Sequence, residues 1–450
     1  MKRIYIATLA TALLLSGCNK DIDNSVDIDV ETATDMRLIK LGGSSVVPSA
    51  VTRASIENLD SMVSTSGEVG VFCLARTKTN LKSAVDAPAP DWDVVVDTDP
   101  NTYLDGYGAT THGVYWGNVC CEFTPDVTPV GGKIYRITPK KNKGPKYHEY
   151  YPMTSWYGYD FYAYYPYAEA YGPDPDHDHD HDPKKGRDYI YVDMDIDGTT
   201  DIIWGKSETI DDRYVDSLEA TLTDAVKNKL DTNWKETMKD SHYSARFFRK
   251  HPELKEDAHI KLEHMLTRFR FMVEPVADKE YESPKSYEGA KKLSVSGITI
   301  NNVKDRVRLV VADQKGVREG TISAAPGSKT TQFSLRHKDG GLLVDAPVNI
   351  KTTVDAEGNE TPVQTPVGDC IMLLPETDKY YMSVNFTDET ADIDYPTQKD
   401  IVISTESGNK FEAGKTYNVI LKVSGVKLIG VTAELADWEE GEEMDLIEFN

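Results

Sequence analysis

Residues 265–275 read MLTRFRFMVEP. Met265, Thr267, Phe269, Phe271 and Val273 fall on one side of an extended chain, and Arg268 and Arg270 fall on the other. A period of two is the signature of a strand with one buried face, and Pro275, which lacks the ladder donor, ends it. The same alternation recurs C-terminally in Val307/Leu309/Val311, Tyr380/Met382/Val384/Phe386, Tyr417/Val419/Leu421/Val423 and Ile429/Val431/Ala433/Leu435. Gly414 and Gly425 sit at the intervening turns. Many short strands joined through Gly and Pro imply an all-β protein, a sandwich with mostly antiparallel strands. No internal repeat of about 20–50 residues points to a solenoid or propeller.

Towards the N-terminus the strand signal continues. Val69, Val71, Cys73 and Ala75 alternate with Gly70, Phe72 and Leu74, as in a strand covered on both sides. Residues 160–167, DFYAYYPY, are aromatic on both faces and are broken by Pro166. From Leu218 the spacing changes: Leu218, Leu222, Val226, Leu230 and Trp234 recur every four residues, which predicts one amphipathic helix, a minor helical insertion. Residues 276–292 are polar and without apolar period, so the boundary between two β-sandwich domains is set there, giving 54–278 and 279–450.

The chain begins with Lys2 and Arg3, an apolar run from Ile4 to Leu14, and then Leu15, Ser16, Gly17 and Cys18. This is the pattern of a secretory signal too short to span a bilayer. Small residues ahead of a cysteine resemble the lipobox of bacterial lipoproteins, in which residues 1–17 are cut off and Cys18 is acylated. Residues 18–53, rich in Asp, Ser and Thr, read as a tether with one strand near Met36 to Leu41. Asn19, Lys20, Asp21, Ile22 and Asp23 resemble a surface-export signal.

A formal charge of -24 opposes binding to nucleic acid or anionic headgroups and leaves protein, glycan or cation as partners. Beyond Cys18 there are four cysteines, Cys73, Cys120, Cys121 and Cys370, without metal or redox spacing, so disulfides are not expected to hold the fold. Cys120 and Cys121 read as neighbours on opposite faces of one strand. No Gly-x-Ser-x-Gly elbow, His-Glu-x-x-His helix or phosphate-cradling loop occurs, so no enzyme and no cofactor are expected.

Four segments taken in order resemble the Bacteroidales fimbrillin family of fimbrium subunits: the lipobox ending at Cys18, the Phe161–Tyr167 aromatic strand, the His264–Val273 strand, and the ending from Gly414, Lys415, Thr416 and Tyr417 through Val431 to Trp438. The resemblance implies two transthyretin-like antiparallel β-sandwich domains in tandem. It implies a precursor held at the outer membrane by lipid on Cys18, trimmed by an arginine-specific protease, and joined to other pilin subunits by strand exchange. Val51, Thr52, Arg53 and Ala54 match the cleavage context. The leader strand to be removed would be the stretch near Met36 to Leu41, and the donor would be the C-terminal Leu446, Ile447 and Phe449. The insertions at residues 174–183 and about 205–255 depart from the short family forms and favour a tip or accessory subunit over a repeating stalk unit. Adhesion to a host protein or glycan is the implied role.

Two other features bear on binding. His177, His179 and His181 alternate with aspartates between prolines; in an extended loop they could converge on a divalent metal, and the plainer reading is a solvated low-complexity loop. Tyr150, Tyr151, Trp156 and Tyr157 could form a glycan-stacking platform, the basis of an alternative function as a surface glycan-binding lipoprotein, but buried strand packing is the preferred reading of such residues.

Overall fold

The computed structural model describes residues 38–45, 67–76, 91–95, 112–127, 133–144, 151, 158–172, 189–254, 257–277, 287–313, 316–375, 377–388, 391, 393–405, 408–425 and 427–436. In chain order the strands are β1 (Leu41–Ser45), β2 (Glu68–Ala75), β3 (Asp91–Val95), β4 (His112–Val127), β5 (Lys133–Pro139), β6 (Tyr159–Tyr165), β7 (Tyr189–Asp195), β8 (Ile203–Ser207), β9 (Ala258–His264), β10 (Thr267–Pro275), β11 (Ser294–Lys304) and β12 (Arg306–Asp313). There follow β13 (Thr321–Ala324), β14 (Thr330–Ser334), β15 (Val348–Asn349), β16 (Thr352–Val354), β17 (Glu360–Pro362), β18 (Thr365–Leu373), β19 (Lys379–Asp388), β20 (Ile393–Asp394), β21 (Gln398–Ser404), β22 (Thr416–Ser424) and β23 (Lys427–Ala436). Helices are few, and the chain is all-β with a small helical part.

The first sheet closes on itself. Its order is β2-β6-β8-β9-β1-β5-β4, and β4 pairs again with β2, so seven strands form a ring, with β3 added in parallel to β4. Inside lie Val69, Val71, Cys73, Phe161, Ala163, Ile260 and Leu262, all 1% exposed or less. The opposite face of β2 and β6 carries Phe72, Leu74, Tyr162 and Tyr164, which join the core of the C-terminal sheets. This is why DFYAYYPY is aromatic on both faces: neither face meets water.

The C-terminal sheets run β18-β10-β22-β23, β14-β11-β19 with β20 and β21 on β19, and β13-β12-β7, and one apolar cluster lies among them. Phe269, Phe271 and Val273 of β10 point into that core, as their spacing predicts. Arg268 lies on the other face of β10 and is buried too, and its Nε donates to Thr416 Oγ1 at 2.9 Å. That hydrogen bond satisfies part of its donor fork.

Sheets and chain halves do not coincide. β7 and β10 precede residue 279, yet β7 pairs with β12, and β10 pairs with β18 and β22. The chain thus passes between ring and sandwich three times, out after β6, back after β7, and out again after β9. At the crossings His264 Nδ1 is hydrogen-bonded to Asp201, both buried, and Met265 N donates to Ile202 O at 2.8 Å. Ring and sandwich also meet at Trp204, whose Nε1 donates to Val311 O at 2.8 Å, and at Lys206, which bonds Glu319 at 3.0 Å. The Trp204 ring lies against Gly320, where a Cβ would stand 2.5 Å from it.

The expected single helix is four short ones: α1 (Asp212–Thr221), α2 (Asp224–Lys227), α3 (Trp234–Ser241) and α4 (Ala245–Lys250). Leu222 ends α1 in extended backbone, and the Thr223 side chain caps α2. A Thr that bonds the backbone two or three residues on starts a new turn rather than continuing an old one. A further turn, α5 (Glu288–Lys291), precedes β11. Among the described residues no helix is long and apolar enough to cross a membrane.

Candidate functional site

The ring is completed by the weakest-looking sequence in it. β1 reads Leu-Gly-Gly-Ser-Ser, and Gly and Ser are poor strand formers. Its backbone nevertheless pairs on both sides. It runs parallel to β9 through Leu41↔Ala258, Gly42↔His259, Gly43↔Ile260, Ser44↔Lys261 and Ser45↔Leu262, and antiparallel to β5 through Leu41↔Ile137, Gly42↔Arg136 and Gly43↔Tyr135. Just before it, Ala258 N donates to Lys40 O at 3.2 Å.

Two apolar side chains hold the segment, Ile39 and Leu41, 9% and 4% exposed. Leu41 sits in a row between Ala258 and Ile137, both buried, above a floor that includes Ile260 and Leu262. The outward row at Gly42 is flanked by Arg136 and His259, and burial pushes the His259 imidazole down. Nearby, Glu208 N donates to His259 O at 3.3 Å, and burial raises the Glu208 carboxyl.

Without β1, β5 would keep only β4 and β9 only β8 as neighbours. The ring would open into a slot with two unpaired edges beside an apolar floor. Unpaired backbone groups at such an edge recruit another strand, so the chemistry of this site is backbone pairing and apolar burial.

The strand expected near Met36 to Leu41 is therefore displaced towards the C-terminus, to Leu41–Ser45. Apolar residues mark where side chains bury, but the ladder continues past them because both neighbouring edges supply partners. Ser45 precedes Arg53 by eight residues, so the strand falls within residues 18–53. The slot walls, Ala258, Ile260, Leu262 and Ile137, were not singled out from the sequence; Ala258-His-Ile-Lys-Leu262 carries an alternation that could have marked them.

Cys18, Arg53, Ala54, His177, His179, His181, Leu446, Ile447 and Phe449 lie outside the described residues, as do Tyr150, Trp156 and Tyr157. Tyr151 is buried, with its ring 5.8 Å from Phe248 and 6.2 Å from Phe161, so it is a core residue and not part of an exposed platform. Cys73, Cys120, Cys121 and Cys370 are buried and form no disulfide with one another. Cys120 and Cys121 do take opposite faces, but both are enclosed, Cys120 lying under the turn at Gly144. Among the described residues no group of three His, Cys, Asp or Glu could hold a metal.

A ring of strands completed by the N-terminal strand β1 and joined to a second β-unit defines the architecture. Among solved structures the chain is similar to proposed cell adhesion proteins of Bacteroides uniformis (12% identity, TM-score 0.38, covering 89% of this chain and 99% of that one) and Bacteroides ovatus (12%, 0.38, 90% and 98%). It is also similar to the fimbrial anchor protein Mfa2 of Porphyromonas gingivalis (9%, 0.26, 88% and 95%). No family model matches the sequence, and no curated protein matches it. Likenesses at this level decide nothing about function, which rests on the slot and the leader.

Proposed function

We propose that this chain is a fimbrial subunit of the bacterial surface, a structural or tip/accessory pilin that serves adhesion. It is made as a lipoprotein anchored to the outer membrane through Cys18, trimmed between Arg53 and Ala54, and built into a polymer by strand exchange. The observation that carries this reading is β1: a leader strand upstream of the proposed cut, seated between β5 and β9 with backbone pairing on both sides. A segment so placed shields an edge while attached and exposes it when removed.

In this scheme uncut precursor is held as a monomer because its own leader fills the slot. Cutting after Arg53 turns an intramolecular strand into one that can diffuse away, and the effective concentration that kept it seated is lost. An incoming strand of about six residues gains several backbone hydrogen bonds of roughly 0.5–1.5 kcal/mol each and the burial of its apolar side chains. The donor is the C-terminal segment with Leu446, Ile447 and Phe449 of a neighbouring subunit.

Arg53→Ala tests the switch. The variant is expected to stay a lipid-bound monomer in cells that carry the processing protease, while the unsubstituted chain yields detergent-resistant ladders on a gel. Ladders from Arg53→Ala equal to those of the parent would remove the switch.

A further inference from the structure

Ile298, Ile300, Met382 and Val384 of β11 and β19 point into the sandwich core, so the residues alternating with them point to solvent. On that outward face Gly297, Thr299 and Asn301 stand opposite Asn385, Ser383 and Tyr381. None of the six is charged, in a chain of formal charge -24. Charges border the block: Lys304 and Lys379 at one end, Asp394 at the other, and Lys399 and Asp400 in a bulge of β21.

Within the block some polar groups satisfy one another and others face water. Asn301 Nδ2 donates to Ser383 Oγ at 2.9 Å, and the Thr299 and Ser334 hydroxyls lie 3.2 Å apart. The Tyr381 hydroxyl and the Asn385 amide have no side-chain hydrogen bond among the described residues. Tyr381 is 40% exposed, and Val402 beside it 44%. Gly297 leaves the room that Asn385 fills, since a Cβ there would stand 3.0 Å from the amide nitrogen. Tyr381 and Asn385 are four residues apart on β19, about 13 Å at the rise of a strand, so an occupant that touches both is extended.

From this we infer that the outward face of β11 and β19 binds an uncharged polysaccharide lying along β19. A pyranose ring presents an apolar C–H face and a rim of hydroxyls that both donate and accept. Tyr381 with Val402 offers a surface for the first, and the Asn385 amide offers two donors and an acceptor to the second. A protein partner fits less well: protein interfaces have apolar cores and are depleted in Ser, whereas this block, apart from Tyr381 and Val402, is amide and hydroxyl. Anionic glycans are repelled by the net charge and find no Lys or Arg inside the block. The face belongs to the sandwich, and β1 to the ring. The inference therefore names a ligand class for the adhesive role proposed above without depending on strand exchange.

The test is affinity electrophoresis of the purified, uncut full chain in native gels containing dextran, yeast mannan, arabinoxylan or laminarin, with heparin as the anionic control. At least one neutral polysaccharide should retard the chain, and heparin should not. Tyr381→Ala and Asn385→Ala should each raise the polysaccharide concentration needed at least tenfold without moving the melting temperature, since both side chains are exposed. Tyr381→Phe, which keeps the ring, should retain most of the binding. Retardation by none of the four neutral polysaccharides would overturn the inference. So would retardation that survives both alanine substitutions, because the sugar then sits elsewhere. Retardation by heparin that disappears with Tyr381→Ala would overturn the uncharged ligand. If gel filtration instead shows that Tyr381→Ala converts an associated chain to a monomer, the face is an interface between copies and the inference falls. Every measurement is made on uncut chain, so a failure of strand exchange leaves these results unaffected.

Discussion

Leu41→Ala loosens the leader without touching the rest of the ring. Burial of Leu41 is nearly complete, and buried Leu→Ala changes cost about 2–5 kcal/mol, depending on how far the site collapses. The lower part of that range, about 2–3 kcal/mol, applies here, because β1 is a short segment near the start of the described chain and can shift towards the small Ala258 beside it. At about 1.4 kcal/mol per tenfold, the population with β1 undocked should rise roughly 30- to 150-fold. Undocking exposes the amides on the slot sides of β5 and β9 and leaves β19 and β22 in place, so the effect is local. Native-state hydrogen exchange read on peptides covering 133–139 and 258–264 should accelerate by that factor, while peptides covering 379–388 and 416–424 stay as they were. Unchanged exchange in both slot walls would refute the view that β1 guards them; equal acceleration everywhere would mean that β1 opens only when the whole protein unfolds.

Cys18→Ser should abolish incorporation of radiolabelled palmitate and leave a precursor that retains its signal; label in the substituted chain would remove the lipobox assignment. Gly320→Ala should destabilise by about 1–3 kcal/mol, read as a lower urea midpoint, because the residue has φ +69° and a Cβ there would meet the Trp204 ring; an unmoved midpoint would show that the contact yields freely. Burial lowers the pKa of His242, His251 and His259, so the unfolded chain takes up protons at about pH 6.5 before the fold does. Their stabilising contribution is whole above that pH and is lost as the pH falls towards their depressed native values. In buffer with enough salt to screen the net negative charge, the melting temperature should drop between pH 7.5 and 5.5, and a flat or rising profile would contradict the burial argument.

Much of the architecture was legible because it is written in period two. β10, β12, β19 and β22 lie where alternating Phe, Val, Leu and Tyr predict them, and Gly414 and Gly425 turn the chain with positive φ. The helical insertion was legible as a region but not as pieces, since the four-residue spacing of Leu218 to Trp234 carries no mark of the new cap at Thr223. Arg268 is buried although it lies on the face of β10 away from Phe269 and Phe271, because alternation separates the two faces of a strand and does not record what covers the second. The slot was half legible. A strand could be expected near Met36 to Leu41, but its extension through Gly-Gly-Ser-Ser depends on the edges of β5 and β9, which no local pattern records.

The three passages of the chain between ring and sandwich bear on how a fibre carries load. Two units strung on one linker part when that linker stretches or is cut. Here β7 is threaded into the sandwich between two stretches of ring, and β10 lies inside its four-stranded sheet. A pull applied at the slot reaches the C-terminal sheets through several covalent paths and through ladders that must slide as a whole. The subunit therefore behaves under tension as a single stiff link, and the weakest joint of the proposed polymer is the exchanged strand between neighbours.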